Sequence, residues 1–274
     1  MADQNTVKIE AFGFGKRLKS MLKVDFGRMQ RSKLFYIMVA CALLIPILMT
    51  VMMTMMDGSI SVDPETGEET VIHGPENTWQ SIGTLPSEGD SAMGGMDVMS
   101  MCNINMMFML AAVFICLFIS EDFRSGYAKN LFTVRSKKSD YVISKTVVGF
   151  TCGALMIIAY FIGAVLGGAT SGLSFDLVGD LNVTNIAMCI TAKIFLMLVF
   201  IAIFVLISVW AKHRAWLALC GSLGGGMILF MTVGLITPLG STLINVILCL
   251  AGGAIFCTGL GAISNLILKK TSLV

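Results

Sequence analysis

The chain is 274 residues long, 56% apolar and only 13% charged, with a mean hydropathy of +0.84. A soluble domain averages about 25% charged residues, so this chain has too little polar surface to cover a globule in water, and both a soluble enzyme and a disordered tail are excluded. Its net charge of +2 conceals a pattern. Of 19 Lys and Arg residues, eight lie between Lys8 and Lys33, six between Arg124 and Lys145, two at Lys212 and Arg214, and two at Lys269 and Lys270, leaving only Lys193 elsewhere. Between Asp57 and Asp97 stand nine carboxylates and no Lys or Arg. Basic and acidic stretches alternate across apolar runs, which is the positive-inside pattern of a polytopic membrane protein.

In chain order, the first 33 residues form a cytoplasmic N-terminus that is too polar for a cleavable signal peptide. Within it, Phe14, Leu18, Met21, Leu22, Phe26 and Met29 recur at helical spacing among basic residues, and predict an amphipathic helix lying in the membrane interface. A bilayer core of about 30 Å needs roughly 20 helical residues. Six runs meet or approach that length, at about 34–56, 104–120, 141–168, 185–210, 216–236 and 243–268. The fold expected is therefore an all-α integral membrane protein, with a six-helix transmembrane domain over 34–268 and a cytoplasmic tail at 269–274. Residues 57–103 form a long extracellular loop and 121–141 a cytoplasmic one. Alternating β-formers around Pro64 and Gly67 predict a small β-hairpin in the extracellular loop.

Few motifs carry chemistry. Gly13, Gly15 and Lys16 are too closely spaced for a phosphate-binding P-loop, and no HExxH, GxSxG or Ser/His/Asp set is present. Seven of the eight cysteines lie in apolar runs with no CxxC pair, so neither a disulfide framework nor a metal site is expected. Methionine is abundant at 21 residues. Two patches toward the outer face, Met49–Met56 and Met93–Met109, suit either a soft apolar lining or Cu(I) ligation. Lys193, inside the fourth run, either snorkels or faces a cavity. Asn103 and Asn105 either cap the second span or line a path. With Met52 and Met106, these residues are the candidates for a translocation path. Gly149/Gly153, Gly163/Gly167 and Gly224–Gly226 permit close helix contact.

The most informative stretch joins the second and third runs. Two acids, Glu121 and Asp122, are followed by Gly126, Asn130, the apolar pair Leu131 and Phe132, then Arg135 and Lys145. This segment resembles the first intracellular loop of ABC-2 type ABC transporter permeases, which runs from a Glu through a Gly and a short amphipathic helix to a basic residue and a Lys. The family often has Gly-Thr there, whereas Tyr127 follows Gly126 in this chain. The chain looks closest to small permeases of peptide-export and lantibiotic-immunity systems.

The resemblance implies a permease subunit of an exporter in the cell membrane, without catalytic residues or a bound cofactor of its own. ATP and Mg would be held by two partner ATPase subunits, and a second permease copy or paralogue would complete the path. Glu121, Asp122, Gly126, Asn130, Leu131, Arg135 and Lys145 would couple the chain to the ATPase. A hydrophobic or amphipathic substrate, a peptide, is implied. A stand-alone channel or scaffold without ATP coupling, or a copper-handling permease, remain the other readings of the residues alone. No nucleic-acid partner is expected, because every basic cluster abuts a hydrophobic run.

Overall fold

The computed structural model describes residues 13–62, 69–71, 75, 77–83, 103–134, 137–177 and 181–270. Helix α1 (Phe14–Arg31) is separated from α2 (Lys33–Met56) by one residue, Ser32, in extended conformation (φ −78°, ψ 121°). Then come strands β1 (Ile60–Val62) and β2 (Glu69–Val71) and a short 3-10 turn, Thr78–Ser81. Helices α3 (Met106–Arg124), α4 (Tyr127–Val134), α5 (Ser139–Ser171), α6 (Val183–Ala211), α7 (Ala215–Ile236) and α8 (Leu243–Lys270) complete the described chain.

Helices α2, α3, α5, α6 and α8 are long and apolar enough to cross a membrane. Helix α7 has 22 residues, and its apolar portion Ala215–Phe230 is shorter than the rest. Six helices thus occupy the six apolar runs, the conformation that pairs backbone groups within a segment as lipid requires. The hairpin is present as an antiparallel pair with Ile60 opposite Val71 and Val62 opposite Glu69. Its turn, residues 63–68, lies outside the described residues, as do most of the outer Met patch and His73.

Helix α3 is the central post. Its side chains Met107, Phe108, Phe114, Ile115 and Ile119 are fully buried, and it packs on α5, α6 and α7. Helix α2 docks on α5, and α8 on α6, and these are the two most extensive helix contacts. The α2–α5 contact depends on glycine. A β-carbon at Gly163 would stand within van der Waals overlap of the Leu43 carbonyl oxygen, and one at Gly167 would lie 3.1 Å from Ile47 Cα. Gly149 and Gly153 face the Ile115 and Met197 side chains, whereas of Gly224–Gly226 only Gly226 meets close neighbours, Met109 and Phe204. The outward faces of α2 and α8 carry exposed apolar side chains, among them Leu48, Met52, Met55, Ile244, Leu248 and Ile255, as a lipid-facing or partner-facing surface must.

Candidate functional site

At the basic end of the bundle, α1 lies across α5. One stripe of α1 points inward: Met21, Asp25 and Met29, spaced by four residues, are all buried. Asp25 is an acid in the middle of that apolar stripe, with no exposure at all. Its partners come from far along the chain. Lys145 Nζ donates to Asp25 Oδ1 at 2.8 Å and Ser144 Oγ donates to its other oxygen. Lys145 also pairs with Asp122 Oδ2 at 2.7 Å, and both residues are fully buried. Arg28 pairs with Asp122 Oδ1, and Tyr141 donates its hydroxyl to Asp122 Oδ2 at 3.0 Å.

Two carboxylates and two cations therefore balance inside one buried cluster, which joins α1, the end of α3 and the start of α5. Balance is what makes such burial tolerable, since an unpaired charge there would carry the full desolvation penalty. Burial alone would lower the Arg28 pKa, but the charges of Asp122 and Asp25 outweigh it and hold the guanidinium above its ordinary value.

The elbow between α3 and α5 is built on this cluster. Helix α3 ends where Ser125 N and Oγ donate to the Glu121 carbonyl at 2.9 and 2.7 Å. Gly126 then takes φ +76°, a left-handed value that glycine adopts without steric cost. No atom lies within 4 Å of where its β-carbon would sit, so the turn and not a close approach requires glycine. Helix α4 starts at once, with Asn130 N donating to the Gly126 carbonyl at 3.0 Å.

Tyr127, the residue that departs from the Gly-Thr pattern, has its ring under the Arg28 guanidinium at 4.2 Å. This cation–π contact ties α4 to α1. Burial, then the neighbouring Asp25 charge, raise the Tyr127 phenol above its usual range, so it stays neutral. Leu131 and Phe132 turn toward the bundle, where Phe132 meets Tyr141 edge-on at 5.3 Å. Lys129, Asn130 and Thr133 face outward. Two further ties hold the end together: Arg17 to Asp140 at 3.0 Å, and Lys138 Nζ to the Leu268 carbonyl at 2.6 Å.

Of the residues singled out in this loop, Asp122 and Lys145 meet inside the cluster. Gly126 forms the turn and Leu131 packs inward. Glu121 and Asn130 are exposed, and Arg135 lies outside the described residues. Asp25, Arg28, Tyr127 and Tyr141 complete the site without having been marked as candidates for it. The signal available for Asp25 was its place on the Met21–Met29 stripe of an otherwise basic helix.

A second polar group sits toward the opposite end. Lys193 on α6 is 1% exposed and does not reach the surface. Its Nζ donates to Asn105 Oδ1 at 2.7 Å and to Thr237 Oγ1 at 3.1 Å. Asn103 Oδ1 accepts from Asn105 N at 2.9 Å. Asn103, Asn105 and Lys193 are thus brought together, with Thr237 as a partner the sequence did not suggest. Met106 is half-buried beside them in the chain, while Met52 lies apart on the outward face of α2.

The sequence that builds this site has a counterpart among known families. Residues 21–229 match the family described as ABC-2 family transporter protein. The chain belongs to that family. No curated protein and no solved structure matches it. The ABC-2 match spans α1 from Met21 onward, the charge cluster, the elbow, and the bundle into α7, so the Asp25–Arg28–Asp122–Lys145 cluster and the Gly126 elbow lie within it, while Arg17, Thr237 and Leu268 fall outside. The protein is accordingly a multi-pass permease component of an ABC-type transporter, a family whose membership implies partner ATPases that use the ATP.

Proposed function

We propose that this permease works as half of the membrane path of an ABC exporter, with α4 as the helix through which two ATPase subunits drive it. The observation that carries the reading is the mounting of α4. A short amphipathic helix presents Lys129, Asn130 and Thr133 outward, while its root is fastened by the Gly126 turn and the Arg28–Tyr127 contact to a buried charge cluster shared by three helices. A push on α4 is then delivered to α1, α3 and α5 together instead of being lost in a loose loop. Glu121, Asp122, Gly126, Asn130, Leu131, Arg135 and Lys145 form this coupling segment. The positive-inside rule sets the basic end, with both termini, in the cytoplasm, at the cell membrane.

The path runs between this chain and a second permease, a copy or a paralogue, because the centre of the bundle is filled by side chains such as Phe108, Phe114, Phe200 and Phe204. Met52, exposed on α2, can face this path on the outer half, and Asn103, Asn105 and Lys193, with Met106, form the buried polar group proposed to respond to it from inside the bundle. The substrate is a hydrophobic or amphipathic molecule, a peptide by the family resemblance, and the acidic outer loop favours a cationic one.

A mild-detergent pull-down of the tagged chain from its native host, with mass spectrometry of the co-purifying proteins, tests the proposal. A stoichiometric P-loop ATPase is expected, together with a second permease chain. Recovery of the permease alone, across several detergents and with nucleotide present, would leave a stand-alone membrane protein as the better reading.

A further inference from the structure

Beside the charge cluster, the basic end opens into a cleft of about 520 Å³. It is walled by the α1–α2 elbow, the last turns of α3 and the turn between α6 and α7. The wall toward the bundle is apolar, with Leu34 and Phe118. The polar lining consists of Arg28, Ser32, Ser120, Arg124 and His213, opposed by one acid, Glu121.

One donor in this lining is unused. Ser120 is 3% exposed, and its hydroxyl has no hydrogen-bond partner among the described residues. A serine inside a helix ordinarily bonds the carbonyl one turn back, and several hydroxyls of this chain do so, Thr146 to Val142 and Thr151 to Val147 among them. Arg28 Nη1 lies 3.8 Å from Asp25, an ion-pair distance too long for a hydrogen bond, and the rest of the guanidinium is engaged by Asp122 and the Tyr127 ring. Buried donors of this kind are costly unless something accepts from them.

The height of the cleft in the membrane is marked by tryptophan. Trp210 and Trp216, 63% and 71% exposed, flank the α6–α7 turn that contributes His213. Exposed tryptophans of a membrane protein sit at the level of the lipid headgroups. The amphipathic basic helix α1 runs into the same level.

We propose that this cleft binds the phosphate of an anionic phospholipid, with the headgroup among Arg124, His213 and Ser120 beside Arg28, and an acyl chain along Leu34 and Phe118. A soluble anion would satisfy the donors but leave the apolar wall bare. A neutral lipid tail would do the reverse. The volume lies within the range of small-molecule sites, about 300–1,000 Å³, and the other basic side chains at this end, Arg31, Lys212 and Arg214, add to the attraction. The site depends on the membrane embedding of the chain and not on α4 acting as the coupling helix.

The test is native mass spectrometry of the full permease in detergent, titrated with phosphatidylglycerol and, separately, with phosphatidylcholine. One phosphatidylglycerol is expected to be retained about ten-fold more tightly than phosphatidylcholine, in line with roughly a five-fold gain for each cation near a headgroup. Arg124→Gln should weaken it about five-fold. Glu121→Gln should tighten it, since the opposing charge is gone. Ser120→Ala, which changes no charge and loses only an orphan hydroxyl, should also weaken it and covers the case in which the arginine variant fails to fold. Lys23→Gln, on the exposed side of α1, should change nothing. Equal retention of the two lipids would overturn the proposal. So would displacement of phosphatidylglycerol by an equal concentration of inorganic phosphate, a loss in Lys23→Gln matching that in Arg124→Gln, or unchanged binding in Ser120→Ala, because each would reduce the effect to a soluble-anion site or to general surface charge.

Discussion

Gly126 and Lys193 illustrate how much one side chain decides in this protein. At φ +76°, any β-carbon costs about 1–2 kcal/mol and a β-branched one more. Because the space around the position is open, a residue tolerant of the left-handed region should fit. Gly126→Asn is therefore expected to retain most substrate-stimulated ATP turnover in the reconstituted transporter. Gly126→Val should keep expression and membrane topology but lose coupling. Equal turnover in the two variants would show that the turn has no part in transmission.

Lys193 presents the opposite case, a cation with hydrogen bonds to Asn105 and Thr237 and no carboxylate in contact with it among the described residues. Such a group is expensive to keep in a membrane interior and points to a function. Lys193→Met should leave thermal unfolding in detergent unchanged or raised, while transport falls by at least about ten-fold. A variant that transports normally would reduce the cluster to packing.

The helices show why part of the structure could be read from the chain and part could not. All six spans follow from apolar runs that lipid forces into helices, and the hairpin follows from alternation around a turn. The amphipathic N-terminal helix is also legible, though the break at Ser32 that separates it from α2 is marked by no helix-breaking residue. The charge cluster is different in kind. Asp25 and Lys145 are 120 residues apart, and nothing local to Asp25 tells that its stripe lies on α5 and not on a lipid surface. The Glu121–Lys145 pattern exposed half the cluster, Asp122 and Lys145, and left Asp25 and Arg28 hidden among the residues of a basic helix.

That cluster sets the docking of α1. Removing one member of a buried, balanced set strands its partner and costs about 3–5 kcal/mol, and beyond Asp25 the helix is held by Met21, Met29, the Arg17–Asp140 pair and the contacts of Arg28 with Asp122 and Tyr127. Asp25→Asn should raise hydrogen exchange across α1 by two orders of magnitude or more while the amides of α3 and α6 keep their protection. Slow exchange of α1 in that variant would place its anchorage elsewhere. For α2 the corresponding contact is Gly163. Gly163→Ala pushes a methyl into the Leu43 carbonyl and should cost about 1–3 kcal/mol by overpacking, read as a lower unfolding temperature in detergent. An unchanged temperature would mean that α2 shifts along α5 freely.

At the scale of the whole molecule, the question is where a substrate could pass. The bundle is organised around α3, and its largest buried side chains, Phe108, Phe114, Phe200, Phe204 and Tyr160, are fully buried. Protein interiors packed in this way do not open by small shifts of single residues. A path through one copy would require α3 to leave its neighbours α5, α6 and α7, breaking the charge cluster at its foot. A path along the outside requires much less, since α2 and α8 each present an exposed apolar face that can meet another permease. Tilting two intact bundles against each other keeps every buried ion pair made, and two-fold pairing is the commonest assembly of soluble oligomers. Two permease chains are thus expected in each working complex. Single-particle bleaching of complexes carrying one fluorophore per permease, reconstituted with the ATPase and active in transport, should show two steps where the pair is two identical copies. Where a paralogue completes the pair, one step should appear alongside a second membrane-spanning subunit in equal amount. An active complex containing a single permease chain and no such subunit would mean that the path lies within this bundle, and that α3 moves after all.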